Sequence, residues 1–240
     1  SDWFKYVKKL NNKVVAMTIN GKLAAIFEMT DHLRLDTRQT ICELQKRAIK
    51  PMIITGDNFI AAQRIVQKLK IKGKVVEVSE LSTIQNIKEV SAICEVLPED
   101  KLMILKLLKN KGYVVGMVGD GMNDAPALKA ADVGIATSNA VDLAKQSAGI
   151  IMQKEGIGSI TDILDSGHRV YQRMMTWTIT KLSRTAQLAI LLTLGYWIAN
   201  FIPINLNAIV LVAILNDLVT MVLGTDNTNI SYNPERWNMQ

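Results

Sequence analysis

The residues best equipped for chemistry stand in one run, Gly119-Asp120-Gly121-Met122-Asn123-Asp124. Two carboxylates and an amide crowd together where the apolar run Tyr113–Val118 ends and a helical pattern from Ala125 to Ala131 begins. That order predicts a strand, a tight acidic turn and a helix entry. The glycines allow backbone geometry that a Cβ would hinder, and Pro126 suits a first helical turn, where its missing N–H costs little. At the C-terminal tip of a strand in an open α/β sheet, such a cluster lies where ligands bind. Carboxylate oxygens with room for water and phosphate oxygens suit Mg²⁺. A helix cap at Asn123 or Asp124 is the plainer reading, but it leaves Asp120, on the strand side of the turn, without a role.

Two further tips carry polar groups. Pro51-Met52-Ile53-Ile54 reads as a short buried strand ending in Thr55-Gly56-Asp57-Asn58, with a helix from Phe59 to Lys70. A hydroxyl and free N–H groups at a helix entrance suit a phosphate oxygen, and a simple cap suits them equally. Ile93–Val96 is a second strand, followed by Leu97-Pro98-Glu99-Asp100-Lys101 and a helix to about Lys109 whose apolar face is Leu102, Leu105 and Leu108.

The elements that must position these tips alternate. Lys13 to Met29 predicts a hairpin turning at Asn20-Gly21, and Thr37 to Ala48 has helical spacing. Lys74 to Glu89 shows turn signals and no dominant period. Asp132–Ala136 is a strand, Ala140–Ser147 a helix and Gly149–Met152 a strand. Alternation of this kind implies a parallel sheet with helices on both faces. Trp3–Leu10 is mixed apolar and basic, suiting a short helix or the end of a preceding unit.

Of 240 residues 49% are hydrophobic, and mean hydropathy is +0.16. The excess lies near the C-terminus, where Thr185–Asn216 holds no charged side chain. The basic residues Arg169, Arg173, Lys181 and Arg184 precede it on a long helix, Ile160–Arg184. This predicts two membrane spans, about Thr185–Phe201 and Leu206–Leu223, around a short turn at Pro203 and Asn205, with the basic end cytoplasmic. Asn216 and Asp217 fall inside the second span, where a carboxylate is costly and reads as a cation ligand, a proton carrier or a structural partner. Net charge is +6, without the basic and aromatic clustering of a nucleic-acid surface. Cys42 and Cys94 sit in apolar segments and read as buried free thiols. The chain does not begin with Met and is read as a segment of something longer.

Gly119-Asp120-Gly121-Met122-Asn123-Asp124-Ala125-Pro126 and its continuation to Ala136 resemble the hinge signature of P-type ATPases, cation pumps with a haloacid-dehalogenase-like phosphorylation domain. Thr55-Gly56-Asp57 resembles that family's Thr-Gly-Asp motif, and Pro98-Glu99-Asp100-Lys101 its Pro-x-x-Lys. Asp31-His32-Leu33-Arg34-Leu35-Asp36-Thr37 resembles the return from nucleotide domain to phosphorylation domain, with His32 and Leu33 where the family has prolines. The resemblance implies an α/β haloacid-dehalogenase-like, Rossmann-like parallel sheet followed by a transmembrane helical hairpin. It divides the chain into the end of a nucleotide-binding unit (1–30), a phosphorylation domain (31–158), a stalk helix (159–184), two transmembrane helices (185–224) and a tail (225–240).

It further implies the roles. Asp120 and Asp124 hold Mg²⁺; Asn123 and Asp124 shape the phosphate site; Thr55 and Lys101 clamp phosphoryl oxygens. Gly56, Asp57 and Arg34 meet ATP. Asn216 and Asp217, with Arg184 and Gln187 on the preceding helix, form the ion site. Leu215-Asn216-Asp217, Thr220-Met221, Gln172-Arg173-Met174 and Thr178-Ile179 resemble the plasma-membrane proton-pump branch, which implies H⁺ as cargo, a bilayer as surroundings and a cytoplasmic catalytic part. That branch has an arginine where Gln187 stands.

The sequence contains no Asp-Lys-Thr-Gly-Thr, whose aspartate the family phosphorylates, and no Thr-Gly-Glu actuator loop. The expected partners therefore include nucleophile-bearing, actuator and other membrane segments. A split subunit or non-catalytic partner of a pump is the alternative. A soluble dehalogenase-like phosphatase would need an Asp-x-Asp pair near its start, which is absent.

Overall fold

The structure, a computed structural model, describes residues 13–29, 33–84, 86–200 and 204–222. The expectations for Trp3–Leu10, Asp31, His32, Pro203 and the 225–240 tail fall outside them.

Strands β1 (Lys13–Ile19) and β2 (Lys22–Met29) form an antiparallel hairpin that pairs Ile19 with Lys22. Asn20 and Gly21 both have positive φ, 50° and 76°. A two-residue hairpin turn needs that conformation to match strand twist, and asparagine and glycine adopt it at least cost.

The α/β part begins with α1 (Leu35–Lys46), β3 (Ile53–Ile54), α2 (Phe59–Leu69) and β4 (Lys74–Glu77). It continues through β5 (Val90–Cys94), α3 (Pro98–Asn110), β6 (Gly116–Gly119), α4 (Ala125–Ala130), β7 (Val133–Ala136), α5 (Asp142–Ser147) and β8 (Ile150–Ile151). The strands are parallel, but they make two three-stranded sheets, ordered β3-β5-β4 and β6-β7-β8, where the alternation predicts a single sheet. β5 is buried along its whole length, which explains its mostly apolar character: a parallel strand covered on both faces has no solvent side, and its polar side chain, Ser91, donates to the Lys74 carbonyl. Ala92 packs with Ile41, Leu44, Val66 and Leu69 of α1 and α2, whereas Val90 and Ile93 pack with Ile104 of α3. A smaller core of Leu128, Ala136, Ala140 and Ala144 holds the second sheet.

β4 falls in the stretch without a period. It is short, with Lys74 and Glu77 at its ends, so only Val75 and Val76 advertise it. Cys94 is buried, but Cys42 is exposed, correcting its expected burial: it lies one residue beyond Ile41, off the face that α1 turns inward.

Two long-range contacts tie α1 to α6 (Ser159–Ala199). The Asp36 carboxylate accepts the N–H groups of Ile157 and Gly158 at 2.9 and 3.0 Å, where α6 is about to start. At the other end of α1, Arg47 pairs with Asp165.

The 41 residues of α6 extend about 60 Å at 1.5 Å per residue. Asn200, at φ 56°, ends the helix, and the Asn205 side chain accepts the Ala208 N–H at 2.8 Å as α7 (Leu206–Val222) begins. Among the described residues no helix is both long and apolar enough to cross a membrane; the expected transmembrane hairpin at 185–224 includes residues 201–203 and 223–224, which lie outside them. In α6, Arg184 and Gln187 leave a short apolar run before Asn200, and α7 is described over 17 residues, up to Val222, where the described residues stop.

Candidate functional site

β3 ends one residue before Thr55, whose N–H bonds the Ile93 carbonyl at 3.0 Å and whose carbonyl accepts from Val96 at 3.1 Å. Asp57 offers its carbonyl to the Glu95 N–H at 2.9 Å. The loops at the tips of β3 and β5 are thus stitched together by main chain. Gly56 serves that approach, since a Cβ there would come within 3.3 Å of the Val96 carbonyl oxygen. The Thr55 hydroxyl donates to Asp57 Oδ2 and accepts the Asp57 N–H, both at 3.1 Å. The cap of α2 is Asn58, which accepts the Ala61 N–H at 3.0 Å. Thr55 and Asp57 are therefore not spent on capping.

From the β5 tip the chain turns into α3. Pro98 opens the helix, and Asp100 Oδ2 accepts the Leu97 N–H at 2.9 Å. This first turn aims Lys101 across the gap between the sheets, where its ammonium meets Asp124 Oδ1 at 2.6 Å. Asp124 Oδ2 accepts the N–H groups of Asp120 and Gly121 at 3.2 and 3.0 Å. Burial raises the Asp124 pKa, but the Lys101 hydrogen bond and the two main-chain N–H groups outweigh it, and the carboxyl stays below its ordinary range. Gly119 makes room for this turn, because a Cβ there would sit 2.6 Å from Asp124 Cβ. On the far side, the Asp120 carbonyl accepts from Val141 at 2.9 Å and the Gly119 carbonyl from Thr137 at 3.2 Å.

These bonds sort the two carboxylates. Both Asp124 oxygens accept hydrogen bonds, Oδ1 from Lys101 and Oδ2 from two main-chain N–H groups. Asp120 is exposed, with its carboxylate outside the hydrogen bonds among the described residues, and Asn123 beside it is exposed too. The donor set fits Mg²⁺ through Asp120, since that ion is commonly held by one or two carboxylates together with phosphate oxygens and water. Thr55, Asp57, Lys101, Asp120 and Asp124 are linked through the β5 tip and the Lys101–Asp124 pair. Arg34 is not: it is exposed before α1 and makes no side-chain bond to that cluster.

At the second predicted site, Arg184 donates to the Asn216 carbonyl at 3.2 Å, and Asp217 forms an ion pair with Lys181. Lys181 also lies over the Trp177 ring, 5.8 Å from its centre. Gln187 is exposed. Sequence reasoning misses Lys181 as a partner of Asp217; the available signal is its basic charge at the end of the apolar run. The anchoring role of Asp36, across 121 residues, has no local signal.

A family model described as haloacid dehalogenase-like hydrolase matches residues 2–132, and a second of the same description matches 101–164. A protein described as a cation-transporting ATPase in Methanocaldococcus jannaschii is 34% identical over 94% of this chain, and plasma membrane ATPase 1 of Schizosaccharomyces pombe 30% over 94%. Plasma membrane ATPase 2 of Saccharomyces cerevisiae is 31% identical over 91%. A crystal structure of a zinc-transporting PIB-type ATPase superposes on 94% of the chain with a TM-score of 0.65 and 26% identity, using 33% of that chain. The chain belongs to the haloacid dehalogenase-like hydrolases and, among them, to the P-type cation-transporting ATPases. It spans 30%, 26% and 24% of the length of the three sequence relatives.

Proposed function

We propose that this chain is the phosphoryl-handling part of an ATP-driven cation pump, together with a portion of its ion pathway. The observation that carries the reading is the joining of Lys101, Asp124 and the exposed Asp120 in one bonded cluster. In it Asp120 holds Mg²⁺, which supplies charge neutralisation at the transferred phosphoryl group. Lys101 and the Thr55 hydroxyl bind phosphoryl oxygens, and Asn123 adds an amide donor at the rim. Such positive charge and preorganised donors are how phosphoryl transfer is accelerated. Asp124 keeps Lys101 and the turn in register. Gly56, Asp57 and Arg34 are assigned to ATP.

The phosphoacceptor aspartate comes on a separate segment, because no Asp-Lys-Thr-Gly-Thr occurs in this sequence. β3 and β6 each end a sheet and each lead to a site tip, which suits a strand arriving beside them. Alone, the chain takes up no phosphate from ATP. The exposed apolar side chains of α6 and α7, Trp197, Ile198 and Met221 among them, suit contact with the rest of a membrane-associated pump.

For the cargo we infer a proton. Asp217 is one carboxylate, which suits one proton better than a cation that needs many oxygens, and the plasma membrane ATPases are among the relatives. Likeness to a zinc-transporting structure supports a divalent cation as the second reading. The decisive experiment is phosphoenzyme formation in a complete transporter containing this chain. Asp120→Ala is expected to abolish Mg²⁺-dependent labelling from ATP, and undiminished labelling overturns the assignment. ATP hydrolysis stimulated by Zn²⁺ and not by acid would select the second reading.

A further inference from the structure

Away from the Lys101–Asp124 cluster, at the opposite ends of the strands, lies a cleft of about 600 Å³. Its walls are the lead-ins to β3, β4 and β5. Lys50 precedes β3, Lys72 and Lys74 flank the entry to β4, and Lys88 and Glu89 precede β5. Four lysines and one glutamate thus line the same space; the Glu89 carboxylate lies 4.0 Å from Lys74 and accepts from the Asn86 amide at 3.2 Å, and the Lys88 ammonium lies 6.0 Å from the centre of the Tyr113 ring. The floor is apolar, with Ile49, Pro51 and Ile71.

The backbone holds these lysines together. Gly73 has φ +137°, and a Cβ there would lie 2.5 Å from the Glu89 carbonyl oxygen. Only glycine lets the entry of β4 press against the entry of β5, which keeps Lys72 and Lys74 beside Lys88. Ser91 strengthens the contact by donating to the Lys74 carbonyl at 3.0 Å. Ala48, with φ 55°, turns the chain out of α1 and toward Lys50, whose ammonium bonds the Lys88 carbonyl. Burial pulls the Lys50 pKa below the ordinary lysine value despite nearby Glu89, so a bound anion would relieve it.

We propose that this cleft is a binding site for a phosphate-bearing organic anion, its phosphate held among Lys50, Lys72, Lys74 and Lys88 and its carbon skeleton laid on the apolar floor. Convergent cations around an apolar pocket match that chemistry. Free phosphorylated metabolites and lipid headgroups both carry it. The cleft lies at the end of α1 where Arg47 joins α6, so an occupant there would stiffen the joint between the α/β part and the long helix.

The test is calorimetric titration of the chain with inorganic pyrophosphate, beside co-sedimentation with phosphatidylcholine vesicles with and without phosphatidylinositol 4-phosphate. Saturable pyrophosphate binding assigns a soluble ligand, and binding only to phosphoinositide vesicles assigns a headgroup; either supports the site when the variants agree. Lys72→Glu with Lys88→Glu should weaken that binding at least about tenfold, the size expected when two charge contacts are lost. The separate variant Lys50→Met should weaken it as well, and both variants alter exposed or half-buried side chains and keep the core. Lys101→Ala should leave it in place. Overturning results are binding by neither probe, equal binding to plain phosphatidylcholine, an undiminished affinity in the charge-reversed variant, or loss in Lys101→Ala alone.

Discussion

Lys101 and Asp124, 23 residues apart, meet at 2.6 Å and bridge two sheets that share no strand. Asp124 is 7% exposed and Lys101 21%, so the pair is shielded enough to have direction. It positions the site as much as it stabilises the fold.

Removing the cation should therefore be felt in folding. Lys101→Ala leaves the Asp124 carboxylate with two main-chain donors only. A loss of about 2 kcal/mol is expected, below the full cost of orphaning a buried charge because water can reach the gap. Urea unfolding measures it, and Lys101→Arg should recover part of it.

The same pair sets an acid limit. The folded pKa of Asp124 lies below its unfolded value, held there against burial by Lys101 and two N–H groups. Asp132, bonded by Lys109 and the Val115 N–H, and Asp165, bonded by Arg47, shift the same way. Groups with depressed pKa contribute stability that is complete above the unfolded value, near pH 4, and is lost as pH falls through the folded one. The urea midpoint should hold steady from about pH 7 to 5 and fall below about pH 4. Asp124→Asn should make that fall shallower; a midpoint that rises on acidification would contradict the assignment.

Gly119 is a packing requirement. In Gly119→Ala the new methyl group meets Asp124 Cβ at 2.6 Å, and the Met122–Asp124 turn must move. A cost of about 2 kcal/mol is expected. Faster amide exchange at Asp120 and Gly121, which lose their bonds to Asp124, would locate the damage.

Asp36 anchors the start of α6. Asp36→Ala should cost about 1 kcal/mol, as loss of a helix cap does, with faster exchange confined to Ile157 and Gly158. Gly156→Ala should cost more, because Gly156 has φ +87° and its Cβ would collide with the Asp36 carboxylate. Unchanged exchange at both amides in Asp36→Ala would remove Asp36 from this role.

Legibility in the sequence follows the range of the forces. Asn20-Gly21, the apolar run into Gly119, and the Thr55 and Lys101 contexts are local patterns, and they place the hairpin and the site tips. β4 escapes because only two apolar residues mark it. Absence of charge over 185–216 does not by itself make a span: in α6 the basic and polar residues Arg184 and Gln187 interrupt the apolar run that ends at Asn200.

Residue types and spacing alone determined that strand tips would carry the polar clusters, since turn glycines, apolar strands and polar tips are set by interactions between near neighbours. Only the tertiary structure decided which carboxylate is free. Asp120 and Asp124 look alike in sequence, but Lys101 and two N–H groups engage one and leave the other open. Packing likewise chose Lys181 for Asp217 and Asp36 for the entry of α6. Such choices depend on where distant segments come to rest once the core closes, and no local pattern encodes that distance.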